Sequence, residues 1–230
     1  MERKIVIAID GYSGCGKSTL ARQLAERLGY TYVDTGAMYR AITLYFIRMQ
    51  VAIGDEASVG KALSSISLAM TRDPDTGRAC LQLNGKDVDQ DIRDLSVSKR
   101  VSEVAAIPAV REFAVRFQRQ LRSDHGIVMD GRDIGTVVFP DAELKIFMTA
   151  DLAVRVDRRF KEIRAVNSSV TREEIEKDLT RRDYLDTHRD ISPLRQADDA
   201  VLIDNSALSP EQQLDLAEGL AREAIGVRAL

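Results

Sequence analysis

Gly11-Tyr12-Ser13-Gly14-Cys15-Gly16-Lys17-Ser18 satisfies the phosphate-loop pattern G-x-x-x-x-G-K-[S/T] at every required position. Its flanks suit the pattern too. The apolar run Ile5-Val6-Ile7-Ala8-Ile9 reads as a buried strand, and Ser18 to Leu28 reads as a helix. Strand, glycine loop and helix together make a cradle in which inward N–H groups and a helix N-terminus meet phosphate oxygens. In such a cradle Lys17 reaches the β- and γ-phosphates and the Ser18 hydroxyl binds Mg²⁺.

The chain has 230 residues, which suits one domain or a core with insertions. A chain of this length buries roughly 70% of its unfolded surface. The net charge of −3 argues against bulk binding to nucleic acid or anionic membrane. Arginine outnumbers lysine 25 to 8. A planar guanidinium fork suits phosphate, although codon usage produces the same bias. Cys15 and Cys80 have no spacing partners, so neither a disulfide framework nor a zinc site is indicated. The N-terminal apolar run is too short for a signal peptide and no run reaches membrane-spanning length, so the expected location is cytoplasmic.

Further apolar runs at Tyr32-Val33, Ile127 to Met129, Leu144 to Met148 and Ala200 to Ile203 read as strands separated by helices. That alternation predicts a five-stranded parallel sheet inside a three-layer α/β/α fold. Two regions interrupt it. In the first, Ser65 to Thr71 and Arg78 to Asn84 read as strands joined by the turn Asp73 to Gly77, and Asn84-Gly85 signals a tight hairpin. A helix from Leu95 to Ile107 follows, ending before Pro108. In the second, the arginine-rich stretch 155–189 reads as two charged helices joined at Asn167-Ser168-Ser169, with a capping box at Thr171 to Glu174, and is a candidate lid. Ser209-Pro210-Glu211-Gln212 starts the last helix.

A phosphate loop marks a nucleotide binder and no more. No Asn-Lys-x-Asp guanine reader and no Ser-Gly-Gly-Gln transporter signature accompanies it. Asp34-Thr35-Gly36-Ala37-Met38-Tyr39-Arg40 reads as a loop at the carboxyl edge of the sheet, where Thr35 and Arg40 suit a second phosphate. Asp130, after Ile127-Val128-Met129, resembles the second acidic nucleotide motif, which supports Mg²⁺ through water, and Arg132 faces the same cleft. The plain alternatives are a turn at Asp130-Gly131 and a surface charge at Arg132. Arg182, Asp186 and Arg189 fall on one helical face. Alone, that cluster reads equally as an exposed salt-bridged helix, and His188 as incidental.

These segments, with Ile107 to Glu112, Asp130 to Ala142, and the tail through Ser192-Pro193-Leu194, Ala197 and Asp199-Ala200, are similar to the bacterial cytidylate kinases of the nucleoside monophosphate kinase family. The matches run in order along essentially the whole chain. Tyr12 departs from the family's usual proline, at a position that demands only backbone geometry. The resemblance implies a P-loop kinase with a core at 1–40, 109–154 and 190–230. It adds a monophosphate-binding region at 41–108, carrying the antiparallel β/α insert, and a helical lid at 155–189. It implies Mg²⁺-dependent transfer of a phosphoryl group from ATP to CMP or dCMP, by a monomer with no nucleic-acid or membrane partner. ATP falls on Gly11, Tyr12, Ser13, Gly14, Cys15, Gly16, Lys17, Ser18 and Thr19, and Mg²⁺ on Ser18 and, through water, Asp130. The acceptor phosphate falls on Arg40, Arg132 and Arg182, near Thr35. Ser102, Arg111 and Asp133 read the base with Arg189, and Asp186 lies near the ribose. Lys17, Arg132, Arg182 and a lid arginine, Arg155 or Arg159, serve catalysis.

Cytosine suits such a set, since a carboxylate or hydroxyl matches its amine and an Arg fork matches N3 and O2. Uracil reverses part of that pattern, and each mismatched buried polar group costs about 1–3 kcal/mol. Kinases of AMP, UMP or shikimate on the same scaffold, and a non-catalytic nucleotide-binding regulator, remain the alternatives.

Overall fold

The computed structural model describes residues 3–72, 79–122, 124–165 and 169–226, with the side chains of Arg72, Ala79 and Leu95 left aside. The turn expected at Asp73 to Gly77 and most of that at Asn167 to Ser169 lie outside the described residues. The chain divides into two compact units, Met1–Tyr32 with Ser123–Leu230, and Val33–Arg122.

The first unit is built on a parallel sheet. Strand β1 (Val6–Gly11) lies between β6 (Ile127–Gly131) and β7 (Leu144–Thr149), and β8 (Val201–Asp204) follows β7. With β2 (Thr31–Asp34), which carries the chain out of this unit, the order is β2-β6-β1-β7-β8. The five-stranded sheet expected from the apolar runs is therefore present. Side chains alternate across a strand. Ile5, Ile7 and Ile9 thus fall on one face, where they pack with Leu20, Ala21 and Leu24 of α1 (Lys17–Leu28) and Leu214, Ala217 and Ala221 of α8 (Pro210–Gly226). Burying each leucine is worth roughly 1.5–3 kcal/mol. The start of α8 is capped reciprocally: Ser209 N–H donates to Gln212 Oε1 at 2.9 Å, and Gln212 N–H donates to Ser209 Oγ at 3.1 Å.

Helices α6 (Leu152–Arg164) and α7 (Arg172–His188) form a smaller cluster around Val156, Ile175 and Leu179. The Thr171–Glu174 capping box starts α7 as expected. After β6 the chain makes a π-helical turn over Ile134–Val138. Among the described residues, no helix is long and apolar enough to cross a membrane.

The second unit holds α2 (Thr35–Arg48), α3 (Glu56–Ser64), the antiparallel strands β3 (Leu68–Arg72), β4 (Ala79–Leu83) and β5 (Lys86–Asp87), then α4 (Leu95–Ala106) and α5 (Pro108–Gln120). Asn84 (φ 50°) and Gly85 (φ 76°) both take left-handed conformations, as a tight hairpin turn between β4 and β5 needs. Val97, Val101 and Val104 line the buried face of α4 at helical spacing. One expectation needs correction. The segment Asp34 to Arg40 is no loop, because α2 begins directly at Thr35. Asp34 caps it by accepting the Ala37 N–H at 2.8 Å, and Gly36 sits in the first turn, where little is lost by its flexibility.

Candidate active site

Gly11 and Gly16 make the phosphate loop possible. Gly11 has φ 148°, and a Cβ there would lie 2.0 Å from the Met148 carbonyl oxygen. Gly16, at φ 89°, stands in the left-handed region immediately before α1. Lys17, the first residue of α1, is buried, and its Nζ donates to the Tyr12 carbonyl at 2.7 Å. Burial, and after it the charge of Arg132, pushes the Lys17 amine below its ordinary value, while Cys15, Asp130 and Asp10 pull the other way. Tyr12 packs edge-on to Phe147, with ring centroids 5.9 Å apart.

Parallel register brings the second motif beside the first. Ile9 on β1 pairs with Asp130 on β6, so both side chains face the α1 side. There Asp130 Oδ2 accepts the Ser18 hydroxyl at 2.9 Å, and Asp130 Oδ1 accepts the Tyr32 hydroxyl at 2.9 Å. Asp10, one residue on from Ile9, faces the other way. Its carboxylate accepts the N–H groups of Ile134 and Gly135, each at 2.8 Å, and so anchors the turn that follows Arg132 and Asp133. Burial pushes the Asp10 carboxyl up to about 7, against the two backbone hydrogen bonds.

Arg132 joins the two motifs. Its Nη2 donates to Ser13 Oγ at 2.6 Å and its Nε to Asp186 Oδ2 at 2.7 Å. Burial alone would raise the Asp186 carboxyl, but the charge and hydrogen bond of Arg132, with Arg189 and Arg182, hold it below the usual range. Arg189 Nη2 lies 3.9 Å from Asp133 Oδ1, and Arg189 Nε donates to the Ser192 carbonyl at 2.7 Å. Arg182 belongs to the same group. Burial and the like charge of Arg132 push it below its ordinary value, and its Nε has no hydrogen-bond partner among the described residues. Two guanidinium groups that repel each other, with a buried donor unmet, suit an anion.

Of Arg155 and Arg159, the two arginines expected to serve a lid, Arg155 reaches the loop. It is buried, its Nη1 donates to the Ser13 carbonyl at 3.2 Å and to Asp183 Oδ2 at 2.5 Å, and its guanidinium stands 5.3 Å from the Tyr12 ring centroid. Arg159 instead pairs with Glu162 on its own helix at 2.7 Å.

The second unit holds the rest of the expected set. Arg40 Nη2 donates to Asp34 Oδ2 at 2.9 Å over the first turn of α2, where Thr35 is buried. Arg111 is 2% exposed, with Nη1 on the Ala105 carbonyl at 3.2 Å and its guanidinium 5.5 Å from the Tyr39 ring centroid. Ser102 is half-buried on α4.

Sequence reasoning passed over Asp10 and Asn205. The alternation of Ile5, Ile7 and Ile9 against Asp10 carried a signal, because a carboxylate at the end of a buried strand must find donors. Asn205 follows β8 at the carboxyl edge of the sheet, the edge where ligands gather in open α/β folds. Ser18 and Asp130 offer a hydroxyl and a carboxylate within hydrogen-bond distance, hard oxygen donors that fit Mg²⁺ beside phosphate.

A family profile described as cytidylate kinase matches residues 7–222. The cytidylate kinase of Bacteroides thetaiotaomicron is 51% identical over 214 residues, covering 92% of this chain and 93% of that protein. The cytidylate kinase of Flavobacterium psychrophilum is 50% identical over 217 residues, covering 93% and 96%. That of Flavobacterium johnsoniae is 48% identical over 229 residues, covering 98% and 99%.

Proposed function

Since the chain belongs to the cytidylate kinase family, we propose that it transfers the γ-phosphoryl group of ATP to CMP or dCMP, giving ADP and CDP or dCDP. The observation that carries this reading is the pair of bonds made by Arg132. One guanidinium touches Ser13 of the phosphate loop at 2.6 Å and Asp186 of the arginine-rich helix at 2.7 Å. An arginine suited to the acceptor phosphate therefore borders the cradle suited to the donor.

Phosphoryl transfer asks chiefly for two phosphates in line, neutralised charge and excluded water. On this reading a CMP phosphate oxygen attacks the γ-phosphorus and the bond to the β–γ bridging oxygen breaks, releasing ADP. The acceptor is already ionised at neutral pH, so no general base is needed. Lys17 and the loop N–H groups take the donor phosphates. Ser18 would hold Mg²⁺, with Asp130 reaching it through water; when bound, that ion neutralises charge on the donor phosphates. Arg132, Arg182 and Arg40 take the acceptor phosphate, near Thr35. Asp186 serves the ribose, and Asp133, Arg111, Ser102 and Arg189 read the base. The lid role of 155–189 belongs to the same proposal. Arg155 fits it better than Arg159, because Arg155 already contacts Ser13.

Initial rates with ATP and each of CMP, dCMP, UMP, AMP and shikimate test the proposal. Turnover of CMP and dCMP well above the others is expected. A preference for UMP, AMP or shikimate, or nucleotide binding without ADP release on adding CMP, would overturn it.

A further inference from the structure

Two carbonyl groups of the phosphate loop are held by side chains from elsewhere in the first unit. Ser13 O accepts from Arg155, and Cys15 O accepts from Asn205 Nδ2 at 2.7 Å across 190 residues of chain. In a planar trans peptide the carbonyl and the next N–H point in opposite directions. Fixing Ser13 O and Cys15 O therefore turns the N–H groups of Gly14 and Gly16 to the opposite side of the backbone. Both glycines have positive φ, at 76° and 89°, and glycine by itself leaves such peptides free to rotate. An outside constraint is what removes that freedom.

Asn205 is built for this task. It is 1% exposed, and its side-chain amide is used at both ends. Nδ2 also donates to Gln213 Oε1 at 2.7 Å, while Oδ1 accepts Arg158 Nη1 at 2.9 Å. Arg158 Nη2 binds the Asn205 main-chain carbonyl at 2.9 Å as well. The amide orientation is thus dictated, with an acceptor on one side and a cationic donor on the other. Through Arg155 directly, and through Arg158 and Asn205, helix α6 acts on two loop carbonyls.

We propose that Asn205 is a positioning residue for the phosphoryl donor: by holding the Cys15 carbonyl it pre-sets the Gly16 N–H for phosphate, and so governs ATP affinity while leaving the acceptor side alone. The inference rests on the ATP-dependent reading above. Asn205→Asp keeps the size and the Arg158 partner but sets a carboxylate oxygen against the Cys15 carbonyl. ATP binding by titration calorimetry should weaken by about tenfold or more, with KM for CMP within about twofold, while the melting temperature falls with the two buried hydrogen bonds that are lost. An unchanged ATP affinity would overturn the proposal. So would equal losses for ATP and CMP, the signature of a general structural role. Should Asn205→Asp fail to fold, Gln213→Leu leaves Asn205 in place, removes the acceptor that orients its amide, and must show the same split. If the unsubstituted protein binds ATP but does not turn over CMP, the CMP reading fails, while the ATP titration still decides the role of Asn205.

Discussion

The Ser18 hydroxyl donates to Asp130 Oδ2 at 2.9 Å, joining the first turn of α1 to the end of β6 across 112 residues of sequence. The contact exists because parallel pairing sets Ile9 beside Asp130, which fixes the face of the sheet on which the carboxylate lies. Asp130→Asn keeps the shape and removes the charge. We expect kcat to fall by about 10- to 100-fold and the Mg²⁺ concentration for half-maximal rate to rise. A Mg²⁺ titration of initial rates measures both, and an unaltered metal dependence would remove Asp130 from the metal site.

Lys17 is buried against the Tyr12 carbonyl and is the only ammonium in the phosphate loop. Lys17→Met retains an unbranched apolar stem, so the fold should survive while turnover is lost. Circular dichroism and an ADP-release assay separate the two outcomes. Substantial residual activity counts against the mechanism.

Asp133 is buried within 3.9 Å of an Arg189 nitrogen, the kind of carboxylate that suits an exocyclic amine. Asp133→Ala should lower kcat/KM for CMP far more than for UMP, compressing the ratio by about 10-fold or more. If the ratio stays where it was, Asp133 does not read the base.

Asp10 supplies a pH dependence. Its carboxyl is pushed by burial from 3.8 to about 7 in the folded chain, so the folded state binds the proton more tightly than the unfolded state. Its contribution is fully present below about pH 4 and is lost as pH rises through about 7, on the order of 1 kcal/mol per pH unit in that window. Asp10→Asn removes the titration. Urea unfolding at pH 5 and pH 8 should therefore show the unsubstituted protein losing stability relative to the variant as pH rises. Parallel behaviour of the two would mean that Asp10 does not titrate in this range.

Much of this was legible from local chemistry. The phosphate loop, the Thr171 and Ser209 capping boxes and the Asn84-Gly85 hairpin each depend on a few adjacent residues, and each appears where their chemistry put it. The reading of Asp34 to Arg40 as a loop failed at one point. Asp34 stands at the carboxyl end of β2, and its carboxylate caps a helix that begins at once at Thr35.

Spacing on one element was what the sequence by itself determined: a phosphate-binding turn between strand and helix, alternating strands and helices, and Arg182 and Asp186 on one helical face, whereas Arg189, expected on that face, lies past the end of α7 in extended backbone. Which of those charges meet was decided only in the tertiary structure. Arg132 pairs with Asp186, Arg155 rather than Arg159 reaches Ser13, and Asn205 reaches Cys15. The reason is physical. Helical and strand periodicity act over a few residues, whereas these contacts depend on strand register and helix packing between segments far apart in the chain, and a shift of one residue in register would turn Asp130 away from Ser18.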